Sequence, residues 1–89
     1  MKKRVLLIDD DPDIRTVAEL GLSAVGGFEV LLASGGEEGI AMAARERPEL
    51  IILDVMMPGV DGPTTLARLK ALTSTASIPV IFMTARAKA

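Results

Sequence analysis

Acidic side chains gather at two points where the chain leaves an apolar run. Asp9, Asp10 and Asp11 follow Val5-Leu6-Leu7-Ile8, and Asp54 follows Leu50-Ile51-Ile52-Leu53. Carboxylates at the ends of buried strands can do two things. They can hold a hard cation, Mg²⁺ when room is left for water and phosphate, or one of them can attack phosphorus as a nucleophile. If the two runs are neighbouring strands, Asp9, Asp10 and Asp54 converge on one cleft. Two carboxylates about 4 Å apart repel by roughly 4 kcal/mol at an effective dielectric of about 20. A fold tolerates such a cluster mainly where a cation neutralises it or a carboxyl keeps its proton. Bound Mg²⁺ would also shield an incoming phosphoryl group from the acids and stabilise charge during its transfer. The chain has no histidine, so covalent capture of a phosphoryl group points to a carboxylate.

Plainer roles compete for the same residues. Asp11 precedes Pro12 and suits a helix N-cap, which leaves Asp9 and Asp10 available for chemistry. Asp54 begins no obvious helix, because Pro58 and Gly59 intervene. Thr84 on its own would be an ordinary strand-end threonine. Met56 and Met57 are expected to pack in the loop, since a thioether is a poor Mg²⁺ ligand. Lys2, Lys3 and Arg4 read as a solvated terminus.

The elements that must position the acids can be traced in order. Val5 to Ile8 is a strand apolar on both faces. Asp11 and Pro12 open a helix, with Asp13 favourable near its positive end. Ile14, Val17, Ala18, Gly21, Leu22 and Val25 recur every three or four residues along it. Leu20 and Ala24 widen this arc beyond half the circumference, so the helix expects more than one packing partner. Gly26-Gly27 stops it. Phe28 to Ala33 is a weaker strand with one charge, suited to a sheet edge. Ser34 and Glu37 have capping-box spacing, and the helix behind them turns Ile40, Ala43 and Ala44 inward before ending near Pro48. The Leu50–Asp54 strand follows. Asp61 is the next N-cap, with Pro63 in the first turn and Leu66, Leu69 and Leu72 on the apolar face. Residues 73–77 form a polar loop, and Ile78 to Met83 a fourth strand ending at Thr84-Ala85. The order β-α-β-α-β-α-β predicts an α/β parallel sheet with helices on both faces.

Composition narrows the rest. Eighty-nine residues make one domain with a small core, and 49% hydrophobic with 25% charged residues is an ordinary globular balance. A net charge of −2 gives no reason to expect direct nucleic-acid binding. Without cysteine there are neither disulfides nor thiolate metal sites. The apolar run after Met1-Lys2-Lys3-Arg4 is too short for a secretory core or a membrane span, so a soluble cytoplasmic protein is expected. Gly-rich phosphate loops are missing, which argues against nucleotide or dinucleotide binding.

Three blocks together carry a resemblance: Val5-Leu6-Leu7-Ile8-Asp9-Asp10-Asp11-Pro12-Asp13-Ile14-Arg15, then Leu53-Asp54-Val55-Met56-Met57-Pro58-Gly59-Val60-Asp61-Gly62, then Ile78 to Ala85. With this spacing the chain resembles, from Lys3 to Ala85, the receiver domain of two-component response regulators. The resemblance implies a flavodoxin-like (CheY-like) doubly wound sheet of strand order 2-1-3-4, with a fifth strand expected. It makes Asp54 the phospho-acceptor and a metal ligand, Asp10 a direct Mg²⁺ ligand, and Asp9 a ligand acting mainly through water. The Met56 backbone carbonyl would complete the protein ligands. Thr84 would be the switch hydroxyl, the Ala85 amide would reach the phosphoryl group, and Pro58-Gly59 would shape the adjoining loop. The implied partner is a sensor histidine kinase or phosphotransfer protein, with acetyl phosphate as a small-molecule donor. The product is a phosphorylation-dependent switch, not a turnover enzyme.

The resemblance also sets expectations about what lies beyond the fourth strand. A receiver continues with a helix, a strand and a last helix, and its phosphoryl-contacting lysine ends the fifth strand. Lys88 is too close to Thr84 to replace that lysine, and Phe28 and Phe82, the only aromatics, lie in strands away from the aromatic switch position. A chain of 89 residues would therefore expose the fourth strand's edge and the wide arc of the first helix, so either a homodimer or domain swap through that side is expected, or the chain is a fragment of a longer protein. Two other functions are compatible with parts of the pattern. One is a shortened receiver that serves as a dimerisation or protein-interaction module without efficient phosphorylation. The other is a Mg²⁺-dependent phosphohydrolase of the haloacid dehalogenase type, which would need an aspartate where Met56 stands.

Overall fold

The computed structural model describes residues 2–57 and 59–83. Seven elements alternate: β1 (Arg4–Ile8), α1 (Pro12–Ala24), β2 (Glu29–Ala33), α2 (Gly36–Glu46), β3 (Leu50–Asp54), α3 (Gly62–Ala71) and β4 (Val80–Met83). All strand pairs are parallel and the order is β2-β1-β3-β4, the flavodoxin-like arrangement expected. The apolar runs become the two central strands because only there can both faces be covered. Val5, Leu6, Leu7 and Ile8 are all buried. Register pairs Leu6 with Ile51 and Ile8 with Leu53, so these four side chains share one face. They join Ala43 of α2 and Leu69 of α3 in the main core. Close approach completes that face: a Cβ at Gly39 would collide with the Ile8 side chain, so α2 can lie directly on β1.

Helix α1 packs against β2 on the other side of the sheet. Its start follows the expected chemistry, with Asp11 accepting a hydrogen bond from the Asp13 N–H at 2.9 Å and Pro12 in the first turn. Its end uses Gly27 at φ +70°, a left-handed conformation that glycine enters without penalty. Its packing departs from the expectation. Ile14, Ala18 and Leu22 are half-buried, whereas Val17 and Val25, predicted to face inward, are 69% and 89% exposed. A stripe four residues apart is all that a single strand neighbour can cover. Leu20 and Ala24 are exposed as well, so the wide arc has no second partner among the described residues.

Three further details correct the expectations. Ser34 is not the N-cap of α2; Gly35 is, with extended φ and no side-chain cap bond. The Glu38 carboxylate, not that of Glu37, reaches back to accept from both the N–H and the hydroxyl of Ser34, each at 2.8 Å. The helix starts one residue late because Gly36 is pressed against Val60 and Thr65, where a Cβ would clash. Glu37 turns instead to Arg68, at 2.8 Å. The second detail is the 73–77 loop, which is not wholly polar surface. Thr75 is buried and its hydroxyl donates to the Leu69 carbonyl at 2.5 Å. Ile78 belongs to this turn, its N–H donating to the Thr75 carbonyl, so β4 begins at Val80. The third is Leu72, expected on the inward face of α3 but 40% exposed as the residue that ends the helix.

Candidate functional site

Ligands of open α/β sheets bind beyond the carboxyl ends of the strands, where strand order reverses. Here that point lies between β1, whose crossover α1 leads to β2, and its other neighbour β3. Register pairs Ile8 with Leu53, so the next residues, Asp9 and Asp54, face each other at the sheet's edge. Both are fully buried. Backbone bonds fix their positions: the Asp9 N–H donates to the Ala33 carbonyl at 3.0 Å, and the Val55 N–H to the Met83 carbonyl at 3.2 Å.

Each buried carboxylate also accepts an N–H from two residues ahead. Asp9 Oδ1 accepts from Asp11 at 2.9 Å, and Asp54 Oδ1 from Met56 at 3.0 Å. Such turns bend the chain off the strand end while placing a donor on a charged oxygen, which offsets part of the cost of burial. Asp10, half-buried, completes the group. Oxygen atoms of Asp9, Asp10 and Asp54 lie within 4.8 Å of one another. An all-oxygen donor set with one member open to water suits Mg²⁺, which keeps several waters and uses few carboxylates. The residues present therefore fit the cation that the sequence implied.

The loop after β3 is anchored from below. A Cβ at Gly62 would sit 2.7 Å from Val55 Cα and 2.8 Å from the Asp54 carbonyl oxygen. Only glycine allows the first turn of α3 to lie backbone against backbone on the acid strand. Asp61 caps that helix by accepting from the Thr64 N–H at 2.9 Å. The Thr64 N–H, and secondarily its hydroxyl, hold the Asp61 carboxyl below the usual range.

The sequence-predicted residues separate clearly. Asp9, Asp10 and Asp54 are brought together. Asp11 stands outside them as the α1 cap. Met57 packs in the core, as expected of loop methionines, but Met56 does not: its side chain is 56% exposed at the mouth of the site. Pro58, Thr84, Ala85 and Lys88 lie outside the described residues.

Two contributors escaped the sequence reading. Arg15 reaches back from α1 to donate from Nη1 to the Asp9 carbonyl at 2.7 Å. Glu38, tied to Ser34, adjoins it closely enough to feel its charge. A cluster of three acids called for a nearby cation, and an arginine in the next helix was the available signal.

Comparisons with known proteins agree with this geometry. The profile of the response regulator receiver domain matches residues 5–89. The transcriptional regulatory protein AfsQ1 of Streptomyces coelicolor is 44% identical over 82 residues, covering 92% of this chain and 35% of that protein. The chain thus spans about a third of the length of that relative. Among solved structures, the N-terminal domain of a response regulator receiver protein from Methanoculleus marisnigri superposes with a TM-score of 0.88 at 36% identity, covering 97% of this chain and 69% of that one. The receiver domain of the Pseudomonas aeruginosa sensor histidine kinase PA1611, with a magnesium ion coordinated in its active site cleft, gives 0.89 at 29% identity, covering 97% and 70%. No described helix is long and apolar enough to cross a membrane. A parallel sheet in the order 2-1-3-4, acids meeting at its switch point and a profile match over nearly the whole sequence lead to one conclusion: this chain belongs to the response regulator receiver domain family.

Proposed function

We propose that Asp54 is the phospho-acceptor of a two-component signalling switch that works with Mg²⁺. The observation that carries this reading is the convergence of Asp9, Asp10 and Asp54, with oxygens within 4.8 Å, at the switch point of the sheet. The magnesium ion in the PA1611 receiver supports the choice of cation. Asp10 and Asp54 would hold the cation directly, Asp9 mainly through water, and the Met56 carbonyl from the loop. When bound, Mg²⁺ supplies charge neutralisation for the incoming phosphoryl group. The Asp54 carboxylate oxygen attacks phosphorus, the bond to the donor's imidazole nitrogen or acetyl oxygen breaks, and an acyl phosphate results. Water later cleaves it.

The donor in this reading is a sensor histidine kinase, a phosphotransfer protein, or acetyl phosphate. Thr84 and the Ala85 amide would answer the new charge. In this reading Asp54 is the acceptor and Asp9, Asp10, Asp54 and the Met56 carbonyl are the metal ligands. A methionine at position 56, two residues after Asp54, disfavours a phosphohydrolase of the haloacid dehalogenase type, which would need an acid there. Intact mass after incubation with acetyl phosphate and Mg²⁺ tests the proposal. A single phosphoryl adduct is expected for wild type and none for Asp54→Asn; an adduct that persists in the variant moves the acceptor elsewhere.

A second contact is favoured by exposed apolar residues. Val17, Leu20 and Val25 on α1 and Ile81 on β4 are open, and β4 pairs with β3 alone among the described residues. We propose a homodimer through this α1 face and β4 edge. Light scattering at tens of micromolar checks it: a monodisperse monomer removes the dimer while leaving the phospho-acceptor reading intact. The interaction-module alternative, in which phosphorylation is dispensable, predicts no saturable amide shifts near Asp54 on adding beryllofluoride with Mg²⁺.

A further inference from the structure

Hydrogen bonds at its N–H, its Oδ1 and its carbonyl oxygen hold Asp9. Its N–H donates to the Ala33 carbonyl, its Oδ1 accepts from Asp11, and its carbonyl oxygen accepts from Arg15 Nη1 at 2.7 Å. The last bond has a particular effect, because a peptide group is a rigid plane. Fixing the Asp9 carbonyl fixes the Asp10 N–H in the same plane, and with it the direction in which Asp10 leaves the strand. Asp10 is the partly exposed member of the acidic cluster. Arg15 is well placed for this task. Helical side chains lean toward the helix N-terminus, and from the start of α1 that direction leads back over the β1–α1 turn. Arg15 is half-buried there.

The Glu38 carboxyl is held below the usual range first by the Ser34 N–H, then by the Ser34 hydroxyl, with a smaller contribution from Arg15's charge.

We infer that Arg15 is a positioning residue: by pinning the Asp9–Asp10 peptide it aims the Asp10 carboxylate at those of Asp9 and Asp54, and so sets the affinity of the cluster for a divalent cation. The inference rests on the Mg²⁺ reading above. A guanidinium acting by charge alone has the opposite sign, since it competes with the cation and its removal tightens binding.

The test is a Mg²⁺ titration of the 89-residue chain followed by backbone amide shifts. Arg15→Ala is expected to weaken Mg²⁺ binding about tenfold, the lower end of what loss of an outer partner costs a metal site. In the metal-free protein the same variant is expected to speed hydrogen exchange at the Asp10 amide. Arg15→Gln, too short to reach the Asp9 carbonyl, is expected to match it, and decides the matter if the alanine variant does not fold. Arg15→Lys, which keeps a donor of similar reach, is expected to recover most of the affinity. Unchanged or tighter Mg²⁺ binding in the alanine and glutamine variants, with unaltered Asp10 exchange, overturns the inference alone. A wild-type chain with no saturable Mg²⁺ binding overturns the proposed function and this inference with it.

Discussion

The two faces of the sheet are built to different standards. On one, Leu6, Ile8, Ile51 and Leu53 meet α2 and α3, and Ala43 and Leu69 are fully buried among them. On the other, α1 contributes no fully buried residue, and Ile81, whose register partner is the half-buried Ile52, is 53% exposed. The acidic cluster sits at the edge where these faces meet. Its β3 member is held by the well-packed side, through Gly62 and the start of α3. Its β1 members are tied in addition by bonds from the β1–α1 turn, through the Asp11 N–H and Arg15. Asp9 and Asp54 are equally buried, and what differs is the contact made beyond each strand end: helix backbone against β3, side-chain and turn hydrogen bonds at β1.

Truncation of side chains tests the contrast most strongly. Leu69→Ala or Leu53→Ala should cost about 3 kcal/mol, since each opens a cavity in a closed core. Val17→Ala or Leu20→Ala should change stability by no more than about 0.5 kcal/mol. Urea denaturation measures both, and similar losses on the two faces would erase the distinction. Next in size is Gly62→Ala, where the new methyl meets backbone atoms that cannot turn aside. A cost of about 2 kcal/mol is expected, with amide shifts reaching Asp54 and sparing α1.

The thinly covered side has its own sensitive point. Asp11→Ala removes the cap of α1 and should cost about 1 kcal/mol, while Asp11→Asn, which still accepts a hydrogen bond, should cost less. Equal losses would mean that charge, not capping, is what matters there. The smallest effect expected is a pH dependence on the α3 side. The folded Asp61 carboxyl lies below its ordinary value of 3.8, first through the Thr64 N–H and then its hydroxyl. A depressed carboxyl stabilises the fold above its unfolded pKa, and that contribution is lost as pH falls through the folded value. Unfolding midpoints followed downward from neutral pH should therefore drop less for Asp61→Asn than for wild type.

Much of this could be read from residue order. The apolar runs at 5–8 and 50–53 declared central strands, and the acids directly after them declared the site, because strand ends and helix starts leave few places for a carboxylate to point. The cap residues Asp11 and Asp61 were legible for the same reason: a cap is a local event. What could not be read depends on contacts between distant segments. Periodicity showed that α1 has a wide apolar arc, but the arc does not say how much of it one strand can cover. The capping pattern at Ser34 was displaced by one residue because Gly36 meets Val60 and Thr65, which are far along the chain. Arg15 gave only the general signal of an arginine one helix away from three acids, since a bond to a backbone carbonyl is possible for any arginine whose neighbour turns the right way.

The first strand of the chain is also the middle of the sheet, flanked by β2 and β3. Both neighbours reach it through helical crossovers, so this strand order lets β2 and β3 be added on either side of β1 without insertion between strands already paired. Parallel pairing of this kind gives no early reward, because a whole crossover must close before the first contacts form. Docking of β2 can complete a β-α-β unit, yet that unit holds only Asp9 and Asp10. The third carboxylate arrives with β3, so the acidic cluster is not complete until β3 has paired with β1. A ligand of the cluster therefore draws only on the folded population and raises the unfolding free energy by mass action.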